Sequence, residues 1–394
     1  MSKAGVSGGR VLLVADEHSR GALAAARALG AAGWDVGVAT PAARGLLPAS
    51  RHIRRRHPVA PPGSDLRSLA RSLAPVVEQH GYELVLGGGD DWVLALAAGA
   101  DLLPCAVPHQ PYAAVRRAFD KSELAKTAQA VGLAPPRTLA LGPTTLNDWD
   151  GPLVVKQRLH VVPGQGGSAR IETRVFNGPR SARSWCAQLL DEGRPAILQE
   201  VVPGGLVALT VLVDASYVPV AAVQQEALRV WPQPAGVSSF AITTAVDADL
   251  LNRVVALLAA LGLTGLAQVQ LLRDAFGALR CIDLNPRTYG SLALAISAGV
   301  DLPVLWAAQA LGRAHRRALL LGRPGASYQW LEGDLRSAIV SHGLARGVFA
   351  ATRAAPGAVH ATFARDDLRP AAVHAGLLLG RGVTKVAGFA STRG

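Results

Sequence analysis

The residues with the clearest chemical potential lie at 265–303. Two strand-like runs, 266–272 and 279–284, flank a turn punctuated by Asp274 and Gly277. Side chains alternate across a strand. Gln268 and Gln270 therefore share one face of the first run, and Asp283 and Asn285 share one face of the second. If the runs pair as a hairpin, a glutamine oxygen, a carboxylate and an asparagine oxygen meet on one surface. Such an all-oxygen set suits a hard cation such as Mg²⁺, or Mn²⁺ on the same donors, with phosphate oxygens and water completing the shell. A polar strand end facing solvent has the same composition, so the hairpin by itself leaves both readings open.

Two further places add chemistry. Lysine is scarce, at Lys3, Lys121, Lys126, Lys156 and Lys385 only. Lys156 ends a strand-like run at 152–156 and is followed by a loop, 162–168, carrying Gly164, Gly166 and Gly167. A lysine beside backbone N–H groups freed by glycine can hold phosphates, although surface loops share this composition. Arg229, in the segment 224–239, can pair bidentately with carboxylate or phosphate oxygens. A surface arginine on a strand is the alternative.

The order of these segments resembles the ATP-grasp superfamily, and within it the carbamoyl-phosphate-synthase-like and carboxylate–amine ligases. The string NPRTYGSLALAISAGVDLP, 285–303, is similar to the E-x-N-P-R pattern and small-residue helix that follow the metal hairpin in those enzymes. Asp283 stands where they usually have Glu. The resemblance implies that Gln270 and Asp283 are metal ligands joined by Asn285, and that Arg287 faces the phosphates or the acyl phosphate. Lys121, in Phe119-Asp120-Lys121, matches the first basic position and Lys156 the second. The glycine loop departs from the pattern, with Gln157 in place of Pro and His160 to Pro163 ahead of Gly164. The stretch 197–204, ILQEVVPG, is similar to the interdomain hinge. It implies adenine against Gln199, its edge read by backbone groups of Glu200, Val201 and Val202. The acid that commonly binds ribose has no counterpart at 205–208. The segment 224–239 is similar to R-x-x-P-x-x-G-G-x-S, with Arg229 as its arginine and Ser238 or Ser239 at its polar end.

These groups need a scaffold. Apolar runs at 11–15, 35–39 and 83–86 alternate with helical spacing at 20–32 and 65–80, which predicts a parallel α/β domain over 1–113. Gly87, Gly88, Gly89 and Asp90 follow the third strand and fall where open α/β sheets border a cleft. A helix is expected over 120–131, closed by Gly132 and blocked by Pro135-Pro136. Strands at 152–156, 196–200, 207–213, 217–223, 266–272 and 279–284 then read as antiparallel α+β. The expected division is an N-terminal α/β domain at 1–113 and a two-part ATP-grasp domain at 114–312, its halves 114–200 and 201–312. A C-terminal extension at 313–394 has helical stretches and no assigned role, although YQWLEGDL, 328–335, also resembles related ligases.

Composition bounds the function. The formal charge is +12. The basic residues are nearly all Arg, scattered through an Ala/Gly/Arg-rich chain, and no aromatic residues interleave with them for base stacking, which argues against nucleic acid. The densest run, RHIRRRH at 51–57, reads as a solvated turn. Cys105, Cys186 and Cys281 are too dispersed for a disulfide framework or zinc site, and Cys281 is expected in the core. No apolar stretch is long enough to span a bilayer and no signal-peptide pattern is present, so a cytoplasmic protein is expected. The resemblance implies an ATP- and Mg²⁺-dependent ligase acting on a small-molecule carboxylate and an amine, compatible with a homodimer. ATP-dependent carboxylation or carbamoyl transfer on the same fold, and a nucleotide-binding regulatory protein with weakened catalysis, are the alternatives.

Overall fold

A computed structural model describes residues 8–161, 171–313, 318–353 and 357–378. The chain opens with β1 (Arg10–Val14), α1 (Arg20–Ala31), β2 (Asp35–Thr40), β3 (Ile53–Pro58), α2 (Arg67–His80), β4 (Leu84–Gly87) and α3 (Asp90–Gly99). These strands form a parallel sheet in the order β3-β2-β1-β4. Ser19 starts α1 by accepting from the N–H of Ala22 at 3.2 Å. Gly88 packs so closely that a Cβ there would sit 2.6 Å from the Cβ of Ala15, which brings the loop after β4 against β1.

The run at 51–57 is a correction. It is not a solvated turn but contains β3, a parallel edge strand in which only Ile53 is buried. Alternation is visible in its burial, but the arginines on both faces hide the apolar signal.

Next come α4 (Tyr112–Phe119) and α5 (Lys121–Ala130). Asp120 caps α5 by accepting from the N–H of Ser122 at 2.9 Å, and Gly132, at φ 77°, leads the chain out. A small antiparallel sheet follows, built from β5 (Thr138–Ala140), β6 (Leu153–Gln157), β7 (Arg174–Phe176) and β8 (Ala196–Glu200), with α6 (Pro179–Asp191) packed on it. Residues 201–205 lead into a larger sheet.

That sheet contains β9 (Leu206–Val213), β10 (Pro219–Trp231), β11 (Val237–Thr244), β12 (Gly265–Arg273) and β13 (Leu279–Asn285), with α7 (Ala248–Leu261) between β11 and β12. After α8 (Leu292–Ser297) and α9 (Leu302–Ala310) come β14 (Leu320–Leu321), β15 (Ser327–Gln329), α10 (Leu331–His342), α11 (Leu344–Thr352) and β16 (Val359–His360). Among the described residues the order is β13-β12-β9-β10-β11-β15-β16, with β14 beside β10. Segments after 312 thus extend the sheet that carries the hairpin. β11 and the second half of β10 lie outside the strands expected from sequence, because the Pro-rich stretch 231–235 between them carries no strand signal.

Two apolar cores fix the arrangement. One runs from Val11, Leu13 and Leu29 to Leu212, Leu266, Leu292 and Trp306, joining the parallel sheet to α8, α9 and the large sheet. The other packs Leu124 of α5 and Leu257 and Leu258 of α7 onto Leu209, Val269 and Leu284, and includes Cys281, 2% exposed as expected.

Candidate active site

The hairpin is regular where the chemistry requires it. Gln270 pairs with Asp283 and Gln268 with Asn285, and the one irregularity falls beyond them, between Gln270 and Leu271. All four polar side chains therefore stand on one face. The tip is held by Asp274, whose Oδ1 accepts from the N–H groups of Phe276 and Ala278, both at 2.9 Å, with Gly277 at φ 84°.

Asp283 is the centre of a charged cluster. Its Oδ1 lies 2.6 Å from Nε2 of His160 and 3.4 Å from Nζ of Lys121. Lys156 reaches the same strand, donating from Nζ to the carbonyl of Ile282 at 3.4 Å. On the other side of His160, Nδ1 is 3.5 Å from Oδ2 of Asp90. Oδ1 of Asp90 accepts from Nε of Arg287 at 2.5 Å. Arg287 also donates from Nη2 to Oδ1 of Asn285 at 2.9 Å. Four basic side chains thus gather around two carboxylates.

Local structure places each of them. Lys121 is the first residue of α5, directly after its cap. His160 stacks on Phe119, ring centroids 4.9 Å apart, and its N–H donates to the carbonyl of Phe119 at 2.9 Å. Arg158 clamps Asp120 from Nε and Nη2, which ties the end of β6 to the start of α5. Asp90 opens α3 immediately after the three glycines, where a carboxylate also meets the positive end of the helix.

Burial and charge oppose one another here. Burial raises the Asp283 carboxyl, but His160, Lys121 and Lys156 outweigh it and hold it well below its ordinary value. Asp90 is also held low, against burial, by Arg287 and His160. Lys156 is pushed down to about 8 by burial, with repulsion from Lys121 adding to it and attraction from Asp283 opposing it. The Arg287 guanidinium is raised by Asp90 against the cost of burial.

The remaining sequence-predicted residues lie around this cluster. Gln199 ends a run of buried β8 residues and donates to Oγ1 of Thr138 at 2.9 Å. Glu200 accepts from the N–H of Arg137 at 3.1 Å, and half-buried Val201 and Val202 begin the link between the two antiparallel sheets. Gly164, Gly166 and Gly167 lie outside the described residues. Arg229 makes its contacts elsewhere: Nε and Nη2 donate to the two oxygens of Asp334 at 2.5 and 2.9 Å. In the NPRTYGS loop the hydroxyl of Ser291 donates to Gln225 at 3.1 Å. A cavity of about 480 Å³ lined by Ser50, Arg51, Arg56 and Asp366 shares no residue with the cluster.

Nothing local in the sequence marks His160 as a partner of Asp283 or Asp334 as a partner of Arg229. Among the described residues no group of three or more His, Cys, Asp or Glu side chains could hold a metal ion.

The path of the chain decides the fold. Solved structures align along most of its length. An L-amino acid ligase from Bacillus licheniformis matches at 16% identity and TM-score 0.60, covering 77% of this chain and 74% of that one. An N5-carboxyaminoimidazole synthetase from Staphylococcus aureus complexed with ADP matches at 14% identity and TM-score 0.64, covering 82% of each chain. A biotin carboxylase from Campylobacter jejuni matches at 14% identity and TM-score 0.60, covering 78% and 72%. This chain has the ATP-grasp fold. The family described as "ATP-grasp in the biosynthetic pathway with Ter operon" matches residues 220–333, a span that includes the hairpin, the NPRTYGS loop and the start of α10. No curated protein matches the sequence. The fold implied by the hairpin and its flanking string is borne out. Among the described residues no helix is long and apolar enough to cross a membrane.

Proposed function

We propose that this ATP-grasp chain is a ligase that activates a carboxylate with ATP and joins it to an amine. The observation that carries this reading is the convergence of Lys121, Lys156, His160 and Arg287 on the carboxylates of Asp283 and Asp90. Four basic groups beside two acids favour a polyanion, and catalysis of phosphoryl transfer is mainly the positioning and neutralisation of such charge. In the proposed reaction a carboxylate oxygen attacks the γ-phosphorus and ADP leaves. The amine nitrogen then attacks the acyl carbon, phosphate departs and the nitrogen loses its proton. No protein nucleophile is needed.

In this reading Lys121 and Lys156 hold phosphate oxygens, Gln199 to Val202 border the adenine, and Arg287 and Arg229 face the transferring group or the carboxylate. Gln270, Asp283 and Asn285 fit a single magnesium ion, because their register places oxygen donors on one face with one full negative charge. When bound, the ion offsets charge on the phosphates. The side chains orient that charge: His160 and Lys121 fix Asp283, and Asp90 fixes Arg287. We take 1–113 as the N-terminal domain, 114–312 as the ATP-grasp domain and 313–394 as an extension.

Similarity to an ADP-bound synthetase and to an L-amino acid ligase supports the reading. Similarity to a biotin carboxylase supports ATP-dependent carboxylation as its alternative. The test is ADP release from MgATP across carboxylates, with and without amines, and separately with bicarbonate. Release that requires both carboxylate and amine supports ligation. Release driven by bicarbonate supports carboxylation. Nucleotide binding without turnover sinks both.

A further inference from the structure

The run RHIRRRH at 51–57 takes no part in the cluster around Asp283. Two of its arginines meet a second basic pair from the C-terminal part of the chain. Arg51, Arg56, Arg365 and Arg369 line one cavity of about 480 Å³, together with Ser50 and Asp366. That volume falls within the roughly 300–1,000 Å³ of small-molecule pockets. One wall is β3 and the segment before it, and the other is 365–369.

The contacts that join the walls leave the cavity positively charged. Asp367 is 2% exposed, and its carboxylate is matched by Arg27, Nε to Oδ2 at 2.9 Å. Ser50 and the N–H of Arg51 also donate to it. Nη1 of Arg51 donates to the backbone carbonyl of Asp366, and Nε of Arg56 to that of Pro48, both at 2.8 Å. A carbonyl oxygen fixes a guanidinium without cancelling its charge, and an arginine has five N–H groups, so both keep donors to spare. Among the described residues the side chains of Arg365 and Arg369 make no hydrogen bond, and none of the four arginines has a carboxylate at ion-pair distance. Neighbouring Arg27 and Arg55 each have one. The remaining carboxylate of the lining, Asp366, lies 3.7 Å from Nε2 of His52 and is 66% exposed.

We propose that this cavity binds a small phosphorylated anion at a site separate from the nucleotide. Like charges gathered in one place repel, and a multivalent anion among them turns that repulsion into attraction. Four guanidiniums call for more charge than one carboxylate carries, and arginine forks take phosphate oxygens in pairs. The ligand bridges β3 and the C-terminal part, adding to the hold of Asp367. The site shares no residue with the cluster around Asp283 and is independent of the ligase reading.

The test is calorimetric titration of the full chain with inorganic pyrophosphate, ADP being held at saturation so that the nucleotide site is filled. We expect binding that weakens ~10- to 100-fold in Arg365→Ser/Arg369→Ser, with ADP affinity unchanged. Without pyrophosphate this variant should melt within a few degrees of wild type, because neither side chain holds another element. It should also lose the rise in melting temperature that pyrophosphate gives wild type. Arg180→Ser/Arg183→Ser removes the same charge from exposed positions of α6 and should bind pyrophosphate as wild type does. Three results overturn the proposal: no binding to wild type at millimolar pyrophosphate, binding indifferent to Arg365→Ser/Arg369→Ser, or an equal loss in the α6 variant.

Discussion

Nε2 of His160 lies 2.6 Å from Oδ1 of Asp283, across 123 residues of chain. The contact joins the end of β6, next to the glycine loop, to the hairpin of the large sheet. Asp283 is thereby the acceptor around which the basic groups are arranged. Asp283→Asn should lower ADP release at least ~100-fold, while nucleotide affinity changes less than ~10-fold because Lys121 and Lys156 remain. Rates from a substrate-dependent assay and affinities from direct titration check this. An equal loss in both would mean that Asp283 serves binding rather than orientation.

Lys156 predicts a pH dependence. Burial and Lys121 bring its amine down to about 8, so it is charged below that pH and neutral above it. MgATP affinity should therefore weaken as pH rises through about 8, and Lys156→Arg should flatten the dependence because arginine stays charged. Stability moves the other way. The unfolded lysine titrates near 10.5, so between about 8 and 10.5 the unfolded chain binds more protons, and this group's contribution to stability rises with pH. Nucleotide titrations and melting curves over that range separate the two effects.

Gly204 is a steric requirement of the link between the two antiparallel sheets. Its φ is 153°, and a Cβ there would meet the carbonyl oxygen of Arg273 at 1.6 Å. Gly204→Ala should cost at least about 3 kcal/mol of stability, read as a shift in the urea midpoint. A neutral result would show that 201–205 can shift away from the hairpin.

Asp367 ties the C-terminal part to α1 and to the segment before β3. It is buried, and its carboxylate accepts from Ser50 Oγ at 2.7 Å and from Arg51 N and Arg27 Nε, both at 2.9 Å. Asp367→Ala leaves these donors unpaired and should destabilise by about 3–5 kcal/mol, with Asp367→Asn less damaging. Nucleotide affinity of the folded fraction should not change.

Much of this arrangement was legible in local sequence. The hairpin announced itself because β12 and β13 are joined by a short turn, so alternation alone put Gln270 and Asp283 on one surface, and the structure adds that they pair directly. Lys121 and Lys156 stood out because lysine is rare in an arginine-rich chain. Asp90 was legible only as a residue at a strand's cleft end. Its contact with Arg287 spans 197 residues, and no local pattern encodes it. His160 looked like a loop irregularity, because its role depends on Phe119 and Asp90 meeting it from other elements. The grip of Asp334 on Arg229 was hidden for the same reason, and β15 was too short to signal that the extension joins the sheet.

The central claim is that the basic cluster around Asp283 and Asp90 supports formation of an acyl phosphate. Hydroxylamine traps such a species as a hydroxamate without requiring knowledge of the natural amine. The full chain with MgATP, hydroxylamine and a panel of carboxylates should give hydroxamate matched by ADP, with both lost in Lys156→Ala. MgATP bound at the site with neither hydroxamate nor ADP from any carboxylate would contradict the account.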